Sequence, residues 1–146
     1  NHKSAIEQLL EAIDWDLKRS DKESAYNHYV LLVNEYFENS LYDDLFSVLL
    51  KRLDLARSMN DLRRQIDTYG ALMNFRVKIW RDSNGALDYA NKALELAVKL
   101  GDEDQEDHYK DYSESLRKGS LDPIADKVFK DINKMFDDVK KSQDNK

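Results

Sequence analysis

Leu53-Asp54-Leu55-Ala56-Arg57-Ser58-Met59-Asn60-Asp61 lies on Leu94-Glu95-Leu96-Ala97-Val98-Lys99-Leu100-Gly101-Asp102 at a constant offset of 41 residues. In both stretches apolar residues recur at helical spacing and then stop at a corner, so a helix and its exit are repeated along the chain. An internal repeat of this length means one supersecondary unit copied and stacked, and it decides the fold class before any single residue is considered.

Outward from these two stretches the rest of the chain reads as further helices. Ser4 and Glu7 have the spacing of a capping box, and Ile6, Leu9, Leu10, Ile13 and Leu17 then predict a helix over 4–18. Ser20-Asp21 breaks it, and an aromatic and aliphatic stripe from Tyr26 to Phe37 predicts a second helix ending at Asn39-Ser40. A third runs from Leu41 to Ser58, and a fourth from Leu62 to Trp80 after the corner at Met59-Asn60-Asp61. Asp82-Ser83-Asn84-Gly85 reads as a plain turn. A fifth helix follows from Ala86 to Leu100, with Gly101 placed for a left-handed cap. The sixth carries Tyr109, Tyr112 and Leu116 before Gly119, and the seventh opens at Asp122-Pro123 and runs through Val139. No segment alternates apolar and polar residues over strand length, so the expectation is an all-α fold of about seven helices. Residues 1–142 read as one domain, with 143–146 a frayed tail.

Within the repeat, small or apolar residues recur at three set points: Ala86, Ala90 and Ala93; Ala5, Leu9 and Ala12; Ala125, Phe129 and Ile132. Leu45 and Leu49 fill the first two points of the remaining unit, and Arg52 departs at the third. The first points fall at 5, 45, 86 and 125, separated by 40, 41 and 39 residues. In the preceding helices Tyr29, Leu32 and Tyr36, then Met73 and Val77, then Tyr109, Tyr112, Ser113 and Leu116 recur in the same phase.

This pattern resembles the tetratricopeptide repeat family, in which a helix-turn-helix unit places small residues at three points of its second helix. The step near 40 exceeds the standard 34, and with the Leu100-Gly101-Asp102 corner it is similar to the long-repeat branch of that family. Gly70 departs from the family pattern where a large residue is usual, as do Val33 and Asn74 where a small one is. The resemblance implies a right-handed superhelical array of antiparallel helix pairs, an α-solenoid. In that phase residues 4–18 match a second helix without its first, either a special capping helix or the continuation of an array that extends N-terminally.

The family's first helices line a concave groove. Carried over by phase, that groove takes Asn27, Val30, Asn34 and Phe37, then Thr68, Ala71, Phe75 and Lys78, then Asp107, Lys110, Glu114 and Arg117. Asn34 is of most interest, because a carboxamide bonds a peptide backbone through donor and acceptor together. Phe37 and Phe75 are either groove anchors or packed core aromatics, and helical spacing favours the core.

Composition bounds the function. Forty-one per cent apolar and 36% charged residues exclude a disordered tail, and four Gly with one Pro favour long helices. A net charge of −6 gives no global attraction to phosphate, so nucleic acid is not an expected ligand. Residues 51–81 carry eight basic groups against three acidic, and 82–114 carry ten acidic against three basic. Either the central surplus faces the groove and favours an acidic partner segment, or the two stretches pair with each other. No apolar run approaches membrane-spanning length, so no membrane span is expected. The absence of cysteine excludes disulfides and fits a cytoplasmic setting.

The acidic run 102–107 lacks the glycine and terminal glutamate of a calcium loop and reads as a helix start. His2, His28 and His108 are not spaced as zinc ligands, and His28 reads as a partly buried side chain. No phosphate loop or nucleophile elbow is found, so neither a catalytic centre, a cofactor nor a metal is expected. The function expected is a protein-protein or protein-peptide interaction module, an adaptor or scaffold. The alternative is a peptide-sensing domain of a larger regulator. An uncovered terminal helix adds the expectation of self-association as a homodimer.

Overall fold

The computed structural model describes residues 4–119 and 133–143. They form α1 (Ala5–Lys18), α2 (Lys22–Glu38), α3 (Tyr42–Ser58), α4 (Leu62–Lys78), α5 (Ser83–Leu100), α6 (Glu103–Arg117) and α7 (133–143). No strand occurs among the described residues, and the fold is all-α. The start of the seventh helix expected at Asp122-Pro123 lies outside the described residues, while Gln143, expected in the frayed tail, is helical.

The helices are short because the same corner interrupts them repeatedly. Ser20, Ser40, Asn60, Arg81 and Gly101 adopt left-handed backbone with φ of 59, 57, 54, 51 and 78°. Each stands directly before the residue that caps the next helix: Asp21, Leu41, Asp61, Asp82 or Asp102. A left-handed residue turns the chain back on itself, and the amide after it reaches a carbonyl of the last helical turn. The bonds from Asp21 N to Asp16 O (2.8 Å), Leu41 N to Tyr36 O (2.9 Å) and Asp102 N to Ala97 O (3.1 Å) each span five residues in this way. The four aspartates then accept the amide three residues on, at 3.0–3.1 Å, and so satisfy an orphan donor of the new helix.

Asp82-Ser83-Asn84-Gly85 is not a free-standing turn: Asp82 caps a helix whose first turn is Ser83-Asn84-Gly85. The cap outweighs the poor helix propensity of Ser, Asn and Gly.

The described helices fall into two compact units, α1–α3 with 134–143, and α4–α6. In the first, α1 packs on α2 and α2 on α3. Ala25, Leu32, Leu49 and Ala56 are fully enclosed. Arg52, the departure from the small-residue pattern, is 1% exposed and sets its guanidinium 5.5 Å from the Tyr26 ring centre. Ala5 and Leu9, which match the repeat in sequence, are exposed and half-buried.

In the second unit α4 packs on α5 and α5 on α6. Ala86, Ala90, Ala93 and Ala97 form a wholly buried stripe of methyl groups along α5, and such small side chains let neighbouring backbones approach closely. Helices α4 and α6 also meet. Arg63 NH1 donates to Asp102 Oδ2 at 3.0 Å, and a Cβ added at Gly70 would collide with the Tyr109 hydroxyl. Both pairs are 39 residues apart, so α4 and α6 run parallel in a register within two residues of the 41 that separate their caps at Asp61 and Asp102. Gly70 departs from the expected bulky residue because the ring of Tyr109 takes the space.

Candidate functional site

The side chains expected at the groove divide by burial. On α2, Asn27, Asn34 and Phe37 are half-buried and reach solvent, with Phe37 6.4 Å from the Tyr42 ring, whereas Val30 is buried. On α4, Thr68, Ala71 and Phe75 are buried and only Lys78 is half-buried. Thr68 Oγ1 donates to the Arg64 carbonyl at 2.8 Å, and Phe75 meets Trp80 edge-on at 4.7 Å. A side chain with so little surface offers a partner nothing to grip, so for Val30, Thr68, Ala71 and Phe75 the packed-core reading is the one that fits. On α6, Asp107, Lys110, Glu114 and Arg117 are all exposed, and the last three share one helical face.

Charge on these helices is largely paired at home. Lys110 meets Glu106 at 3.3 Å and Lys118 meets Glu114 at 3.2 Å, while Arg63 meets Asp102, Arg64 meets Asp61 and Arg76 meets Asp82 at 3.2 Å. The basic surplus of 51–81 is thus partly neutralised by the acidic stretch that follows it, which weakens the case for an acidic partner segment. Asp102 is held below its ordinary pKa chiefly by the Gln105 amide and then by Arg63. Burial pushes Asp61 up, but the amide and guanidinium of Arg64 outweigh it and the net shift is downward.

A polar cluster that the sequence reading missed lies between α1 and α2. Asp16 is 2% exposed, yet its carboxylate receives His28 Nδ1 at 2.6 Å and Arg19 NH2 at 3.1 Å. Burial raises its pKa, and the bonds from His28, Ser24 and Arg19 more than reverse that, leaving the carboxyl below its usual range. The cluster floors an open cleft of about 610 Å³ rimmed by Trp15, Asp21, Glu23 and Asn27. Trp15 is 62% exposed, and Arg19 lies 5.4 Å from its ring centre. The clue in the sequence was a lone acid three residues beyond Ile13, on the face that α1 buries. Ser24 also bonds the carboxylate, so Asp16 ties the end of α1 to Ser24 and His28 of α2.

At the other unit Arg76 is held between rings, 4.5 Å from Trp80 and 5.9 Å from Tyr89, and Tyr89 lies 6.2 Å from Tyr69. This stack closes the α4–α5 corner. Among the described residues no group of three His, Asp or Glu is placed to hold a metal ion, and no helix is long and apolar enough to cross a membrane.

The arrangement defines a class no finer than an all-α chain of consecutively packed, similarly capped helices. No protein-family profile, curated protein or solved structure matches the chain.

Proposed function

We propose that this chain is a tetratricopeptide-like helical array, an α-solenoid, that serves as a protein-protein or protein-peptide interaction module. The observation that carries the reading is the parallel approach of α4 and α6, in which Arg63 meets Asp102 and Gly70 meets Tyr109, each 39 residues on and close to the step of about 40. Stacked units of this kind bind through side chains that their packing leaves at the surface. The contact groups proposed are Asn27, Asn34 and Phe37 in the first unit, and Lys78, Lys110, Glu114 and Arg117 in the second. An extended segment suits the first set, because the carboxamides of Asn27 and Asn34 satisfy backbone donors and acceptors while the half-buried Phe37 supplies apolar area.

The test is affinity capture from a lysate with three forms of the chain: unmodified, Asn34→Ala with Lys78→Glu, and a control altered on α5 at Lys92→Glu with Lys99→Glu. The reading expects a protein retained by the unmodified chain and the control and lost by the α2/α4 variant. Equal retention by all three removes these helices from the binding face.

A further inference from the structure

Asn84 precedes Gly85, the dipeptide in which a main-chain amide is least shielded from attack on the preceding carboxamide. This glycine is crowded by two side chains. A Cβ at Gly85 would collide with the Asp82 carboxylate and stand 3.2 Å from Arg76 Cδ. The close approach of the Asp82 cap therefore favours glycine at 85, and with asparagine at 84 it builds a reactive site into α5.

The same cap keeps that site closed. Gly85 N–H donates to Asp82 Oδ1 at 3.0 Å, and Asp82 is itself held by Arg76 NH1 at 3.2 Å. In the helical turn the Asn84 Cα–Cβ bond tilts toward the helix N-terminus, away from the following amide. Attack requires the turn to open and Gly85 N to release the carboxylate.

We propose that Asn84-Gly85 is a latent deamidation site locked by the Asp82 cap. When the cap opens, Gly85 N bonds to Asn84 Cγ, the bond from Cγ to the amide nitrogen breaks, and ammonia leaves carrying the Gly85 proton. Water then opens the resulting succinimide at either carbonyl. Opening at one gives aspartate at 84, whose charge suits the first turn of a helix. Opening at the other gives isoaspartate, which adds a methylene to the main chain at 84, two residues before the wholly buried Ala86, and breaks the first turn of α5. The modification is irreversible and acts on the stripe that holds the second unit together.

The experiment incubates the intact chain at mildly alkaline pH as unmodified protein, as Asp82→Ala, as Asp82→Asn, and unfolded in urea. Cleavage after Arg81 and Lys92 and fragment mass spectrometry separate Asn84 from Asn91 in the same peptide. Asn is as good an N-cap as Asp, so Asp82→Asn should deamidate as slowly as the unmodified chain, while Asp82→Ala should be faster by about five- to tenfold. The unfolded chain should be fastest. Equal rates in folded unmodified chain and in urea, or in folded Asp82→Ala and unmodified chain, overturn the lock. Should Asp82→Ala fail to fold by circular dichroism, exchange of the Gly85 amide in the unmodified chain decides: protection supports the lock, and exchange at the unfolded rate overturns it.

Discussion

Gly70 on α4 and Tyr109 on α6 face each other 39 residues apart, and the hydroxyl of the tyrosine takes the volume the glycine leaves empty. A residue that would weaken a helix in isolation thus sets how closely two parallel helices approach.

Gly70→Ala gains intrinsic helix propensity of about 1 kcal/mol but forces a Cβ into Tyr109, and overpacking of this kind costs about 1–3 kcal/mol. We expect net destabilisation, reduced when Tyr109→Phe is combined with it. Urea unfolding of the two single variants and the double variant measures the coupling, and strict additivity would separate the two residues.

The corners give a paired prediction. Ser40 is exposed with φ 57°, so Ser40→Gly should stabilise by about 0.5–1 kcal/mol by relieving left-handed strain. Gly101, at φ 78° with nothing near its missing Cβ, should lose about 1 kcal/mol as Gly101→Ala for the same backbone reason. Thermal unfolding of both variants reads the signs.

Asp16 fastens α1 to α2 through His28 and Ser24 and holds Arg19 at the end of its own helix, and Asp16→Ala leaves those donors without their acceptor. A loss of about 2–3 kcal/mol is expected in chemical unfolding.

The lowered pKa values of Asp16, Asp61 and Asp102 fix a pH dependence. A carboxyl whose folded pKa lies below its unfolded one contributes stability that is fully present above the unfolded value. That contribution is lost as pH falls through the folded one. Thermal midpoints should therefore drop steeply below about pH 4, and less steeply in Asp16→Asn, which cannot titrate there. A slope unchanged by Asp16→Asn would remove that carboxyl from the balance.

Helix number and the corners were legible in sequence because periodic apolar residues and breakers such as Ser20-Asp21 and Asn60-Asp61 carry their information locally. The start of α5 was not, since a cap at Asp82 is decided by one hydrogen bond and not by the turn propensities of the next three residues. Burial of Thr68, Ala71 and Phe75 was also hidden, because repeat phase gives a direction around a helix and not what covers it. The Asp16-His28 pair joins residues on two helices, and no pattern within either one announces it.

The central claim is that the first helices of the repeat, α2, α4 and α6, carry the binding. Hydrogen-deuterium exchange of the chain alone and with its captured client tests this most directly. The account predicts new protection in α2, α4 and α6 with α3 and α5 unchanged. Protection confined to α3 and α5, or none in any first helix, would contradict it.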